Sequence, residues 1–133
     1  MMTITGMSNK QVESAIKRID HMNKMPNEVR AGLYLSAAMT AYENGMEVTS
    51  MKQLGKARTM LEVDTLVRRD LNPIDNRTRF STLLDNRKRI GEIGEITKMI
   101  MDKEKVDWSS FNIRVLRKQD VEPTILEQIF LPS

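Results

Sequence analysis

"VTSMKQLGKARTMLEVDTLVRRDLN", residues 48–72, is the stretch whose reading decides the fold. Its apolar residues recur at helical spacing, and two readings fit. In one, Thr49 or Ser50 caps a helix whose inner face is Met51, Leu54 and Ala57, "ARTMLE" (57–62) turns the chain, and a second helix follows. That second helix would turn Val63, Leu66, Val67 and Leu71 inward and leave Thr65, Arg68, Arg69 and Asn72 outward. In the other reading, 50–72 is one continuous helix, because "ARTMLE" holds no helix breaker.

Upstream, Ser8 with Gln11 three residues later fits a capping box, and Val12, Ile16, Ile19 and Met22 continue at helical spacing, so a first helix is expected over about 9–24. Pro26 suits the first turn of a second helix, with Val29, Leu33, Ala37 and Ala41 on one face. "ENG" (43–45) ends it, Gly45 being suited to a left-handed cap. Downstream, Pro73 stops the helix near Leu71, and a further helix starts near 78 with Phe80, Leu83, Leu84 and Ile90. Gly91 and Gly94 mark either a close approach of another backbone or a break. "FNIRVLRK" (111–118) alternates with period two, as a short strand or hairpin would, and "EPTILEQIF" (122–130) reads as a short closing helix. The expected architecture is a mostly α, single compact domain over 1–133 with five or six helices.

The chain of 133 residues is long enough to bury one core. It has no cysteine, which excludes disulfides and thiolate metal sites. Eleven methionines and few aromatics point to an aliphatic core with methionine as filler. The first residues show neither a charged nor an apolar leader pattern, and no apolar run approaches the length of a membrane span, so a cytoplasmic protein is expected, without membrane contact. The net charge of +3 is unevenly placed: residues 50–90 carry ten basic and five acidic groups, while the flanking parts together are acidic. Such a basic centre is what a nucleic-acid footprint needs, and equally what a solvated helix face shows.

A helix-turn-helix braces one helix against the fold and lays a second in the major groove, with donors for base edges and phosphates on its outer side. "QLGKA" and "TLVRRDL" resemble the small apolar helix and the recognition helix of DeoR-type bacterial repressors over about 25 residues. The resemblance implies DNA as partner and a reading helix that carries Arg68 and Arg69; the basic centre adds Lys52, Lys56, Arg77 and Arg79 as candidate phosphate contacts.

Four further features rank behind this. "IGEIGEITKMI" (90–100) resembles the glycine loop of KH domains, although Glu92 sets a carboxylate where phosphate would pass. Glu92 with Glu95, and Glu104 with Asp107, resemble the paired carboxylates of MazG-type nucleotide pyrophosphohydrolases, which hold magnesium against a triphosphate. The single histidine, His21, follows Asp20 on the outer side of the first helix and reads as a surface residue. Finally, Ile125, Leu126, Ile129 and Phe130 form one apolar face near the C-terminus, fit either to dock in a partner's groove or to cover the protein's own core.

Together these residues lead to a non-catalytic, nucleic-acid-associated regulator without cofactor or metal. The alternatives are a helical adaptor that binds another protein and, third, a magnesium-dependent hydrolase; homo-oligomerisation stays open.

Overall fold

Eleven consecutive residues, Ala31 to Ala41, are buried. They belong to helix α2, Asn27–Glu43, around which the rest of the protein is arranged. In the computed structural model residues 8–70 and 76–111 are described, 68–70 and 76–83 by their backbone alone. Helix α1 is Asn9–Asp20, α3 is Glu47–Asp70 and α4 is Asn76–Met101; a 3-10 turn, Trp108–Ser110, follows. Helix α2 packs against α1 and α3, and α3 packs against α4.

A helix apolar on every side belongs in the interior, and "AGLYLSAAMTA" (31–41) has that character. Its alanines let neighbouring helices approach, while Leu33, Leu35 and Met39 fill the space between them. Each such leucine or methionine contributes about 1.5–3 kcal/mol by leaving water. The two aliphatic hydroxyls on this helix need no outside partner: Ser36 donates to the Gly32 carbonyl and Thr40 to that of Ser36.

The helix ends follow the local chemistry of the sequence. Ser8 Oγ accepts from the Gln11 amide at 3.2 Å, and the Ser8 amide donates to Gln11 Oε1 at 2.8 Å, which completes the capping box. Pro26 is the N-cap of α2. At its other end Gly45 adopts φ +76°; its amide donates to the Tyr42 carbonyl and that of Met46 to Ala41, the Schellman pattern. Helix α4 ends in the same way, but with Lys103 in the left-handed position at φ +60°. Beyond it Trp108 packs edge-on against Tyr42, with ring centres 5.8 Å apart, and the Val106 amide donates to the Tyr42 hydroxyl at 3.1 Å.

Several expectations are corrected. Helix α1 stops at Asp20 rather than near 24. Helix α3 starts at Glu47, so Thr49 and Ser50 lie inside it and cap nothing; Ser50 is instead buried and donates to the Ala38 carbonyl across the helix interface at 2.7 Å. The stretch does not divide over 48–70: α3 runs without a turn through 57–63, and residues 71 and 72 lie outside the described residues. Leu54, Ala57, Leu61 and Asp64 recur at three- and four-residue spacing and are all buried, so core contact continues through the segment where a turn was expected. Helix α4 likewise runs through Gly91 and Gly94, and beyond the adjoining residues and the helix's own backbone no atom among the described residues lies within 4 Å of a Cβ placed at either. The described residues thus hold four α-helices instead of five or six. The strand expected at 111–118 lies, after Phe111, outside the described residues, as does the closing helix of 122–130.

Candidate interaction surface on the third and fourth helices

Because α3 is continuous, the phase set by Leu54, Ala57 and Leu61 carries into its second half. Asp64, three residues after Leu61, falls inward at 8% exposure. Leu66 lies about 140° around the axis from Leu61 and faces outward. Val63, Leu66 and Val67 are 37%, 58% and 49% exposed, which corrects the expectation that these three face the core. This half of α3 is inverted, with polar groups inside and branched aliphatic groups outside.

The inward polar groups are bonded. Asn86 on α4 is almost fully buried and donates from Nδ2 to Asp64 Oδ2 at 2.8 Å and to Thr65 Oγ1 at 3.3 Å. Thr65 in turn donates to the Leu61 carbonyl at 2.8 Å. One α4 turn on, the buried Arg89 places Nη1 3.7 Å from Glu28 Oε1 at the start of α2. This polar layer joins α3, α4 and α2. It would be expensive to leave half-bonded, so it holds the helices in one register. Sequence reasoning missed it, and only the polarity of Asp64 within an otherwise apolar periodicity hinted at it.

The basic residues do not share one role. Lys52 is exposed. Lys56 lies 3.1 and 3.2 Å from the two carboxylate oxygens of Asp20 at the end of α1, and its ammonium is 5.5 Å from the centre of the Tyr34 ring. The Tyr34 hydroxyl donates to Asp20 Oδ1 at 2.6 Å, and Arg30 Nη2 donates to the Tyr34 oxygen at 3.3 Å. Burial pushes the Asp20 carboxyl upward, but the hydrogen bonds from Tyr34 and Lys56, with the charges of Lys56 and Arg30, hold it below its ordinary 3.8. Burial and the same carboxylate push Tyr34 up to about 12. Lys56 therefore clamps α3 to the end of α1.

Arg68 and Arg69 stand in the last turn of α3, and Arg77 and Arg79 in the first turn of α4; these residues are described by backbone alone. Along one continuous helix, Lys52 and Arg68 are separated by about 160° around the axis, so the two do not form a straight stripe. The angled second helix of a reading head is not present over 48–70, because no turn separates it from the first.

The remaining motifs separate. Gly91 and Gly94 are helical and form no backbone loop of the KH type. Glu92 and Glu95 are on α4, whereas Glu104 lies beyond its end and Asp107 caps the 3-10 turn, accepting from the Ser109 amide and hydroxyl. Among the described residues, no three acidic or histidine side chains are grouped to hold a metal ion. His21 is the C-cap of α1, with Nδ1 2.6 Å from the Lys17 carbonyl oxygen, and it is exposed. Ile125, Leu126, Ile129 and Phe130 lie outside the described residues. Among the described residues no helix is long and apolar enough to cross a membrane.

Comparison with protein-family models, with curated proteins and with solved structures finds no match to this chain.

Proposed function

We propose that the protein is a non-catalytic helical adaptor, which binds an acidic amphipathic helix of a partner protein along the outer face of α3. The observation that carries this reading is the inversion of α3: Val63, Leu66 and Val67 are spaced i, i+3 and i+4 and stand in solvent, while Asp64 takes the interior position. Three adjacent aliphatic side chains in one helical stripe suit the helix-against-helix mode of recognition. The surplus of basic residues over 50–90 favours an acidic partner, because complementary charge speeds encounter and rejects basic competitors.

The test is selection of binders from a library of helical peptides of varied charge, followed by titration against Leu66→Glu. Binders with acidic flanks, weakened tenfold or more by the substitution, are expected; that loss corresponds to about 1.4 kcal/mol. Binders of any charge that ignore Leu66→Glu would refute the reading.

A second reading, a nucleic-acid-associated regulator, is favoured by one observation: the end of α3 and the start of α4 bring Arg68, Arg69, Arg77 and Arg79 into two helix turns. It requires binding to a duplex or a single strand that weakens steeply with salt, with a log–log slope of roughly −4 if about four phosphates are neutralised on a duplex. No binding at low salt by the folded protein would eliminate it.

A further inference from the structure

A groove of about 340 Å³ runs between the first half of α3 and the second half of α4. Met51, Gly55, Ile93, Gly94 and Met101 line it, with Arg58 and Lys98 at its rim and Asp102 at one end. Gly55 and Gly94 are the notable members. Both stand inside helices, where glycine is less favourable than every residue except proline. Close helix packing is the usual reason for such a choice, yet beyond the adjoining residues and the helix's own backbone no atom among the described residues comes within 4 Å of a Cβ at either position. Helices α3 and α4 therefore do not themselves require these glycines. A third element laid over the groove would.

We propose that the C-terminal segment, residues 119–133, lies in this groove, with Ile125, Leu126, Ile129 and Phe130 against the floor at Gly55 and Gly94. Three observations select this occupant over others. The chain leaves the described residues at the correct end of the bundle: Lys103, just past α4, pairs with Glu47 at the start of α3, and Trp108 is fixed against Tyr42. Length is available, since residues 112–118, between the last described residue, Phe111, and this segment, span up to about 25 Å when extended. The charges match as well: residues 119–133 carry Asp120, Glu122 and Glu127 and no lysine or arginine, and the rim carries Arg58 and Lys98. Arg58 already bonds Glu62 at 2.9 Å, but that pair is exposed and exchanges readily for another carboxylate. The apolar face of the tail is then turned toward its own chain. This inference is independent of the partner proposed for Val63, Leu66 and Val67.

The two glycines permit a test in which the sign of the effect decides. With an empty groove, Gly94→Ala and Gly55→Ala each improve helix propensity and raise Tm by about 2–6 °C. With the tail in place, the added methyl groups push against it, and Tm stays level or falls. Gly91→Ala, on α4 but not lining the groove, is the control and raises Tm in either case. The measurements use the full-length chain, once with its natural tail and once with Ile129→Asp and Phe130→Asp. The expected result is that the groove substitutions raise Tm only in the second background, while Gly91→Ala raises it in both. A rise at all three glycines in both backgrounds overturns the proposal.

A second measurement does not depend on stability. The chain has no cysteine, so Lys98→Cys with Gln128→Cys introduces a single thiol pair. Mild oxidation is expected to give a disulfide within one chain. Exclusively linked dimers would assign the groove to the tail of a second copy, and no disulfide at all would remove the tail from it; either result overturns the proposal.

Discussion

Substituting Tyr34 by phenylalanine tests whether the cluster at the end of α1 fastens the bundle. The substitution keeps the ring under the Lys56 ammonium and removes only the hydroxyl, which donates to Asp20 Oδ1 at 2.6 Å and accepts from Arg30. A hydrogen bond to a charged acceptor is worth about 1.5–3 kcal/mol. The Asp20 side chain is 38% exposed, so water competes for the carboxylate, and the expected loss is about 1 kcal/mol at neutral pH. For a chain of this size, that lowers Tm by about 3–6 °C. The loss should also depend on pH. The Asp20 carboxyl is held below its ordinary 3.8 in the folded protein, so its contribution is present above that pH and disappears as pH falls through the folded value. Urea unfolding followed by circular dichroism, at pH 7 and at successive values below pH 4, should show the two proteins converging in acid. A difference that is constant with pH, or that widens in acid, would refute the argument that this hydroxyl acts through the Asp20 charge.

Two other substitutions examine the helix ends and the polar layer. Lys103 occupies a left-handed position that glycine adopts without penalty, and its 2.6 Å pair with Glu47 is largely exposed; Lys103→Gly should therefore stabilise the protein by about 0.5–1 kcal/mol, whereas Gly45→Ala, at φ +76°, should destabilise it by about 1 kcal/mol, both read from urea midpoints. Asn86→Leu removes the 2.8 Å hydrogen bond to the Asp64 carboxylate and should cost about 1–3 kcal/mol; a loss below about 0.5 kcal/mol would mean that the layer joining α3 to α4 adds little.

Local chemistry was legible before any tertiary structure was considered. The capping box of Ser8 and Gln11 follows from residue types three positions apart, as does the left-handed glycine after α2. The all-helical class and the burial of Val12, Ile16, Ile19, Leu33, Leu54 and Ala57 follow from periodicity alone. Each of these depends on neighbours within one or two helix turns.

The candidate surface was not legible in that way. Whether 57–63 turned or continued was undecided locally, because no residue there forbids helix; the continuity of α3 depends on Leu61 and Asp64 meeting the rest of the bundle. The side of α3 that Val63, Leu66 and Val67 occupy followed from that choice, since a turn would have reset the helix phase and turned them inward. Lys56 looked like a free cation because its partner Asp20 is 36 residues away in sequence, and Asn86 gave no sign of Asp64 for the same reason. Periodicity indicated which segments are helical, and capping placed the start of α1 and the end of α2. Contacts between distant residues decided which of their faces are buried, and so which remain available to bind.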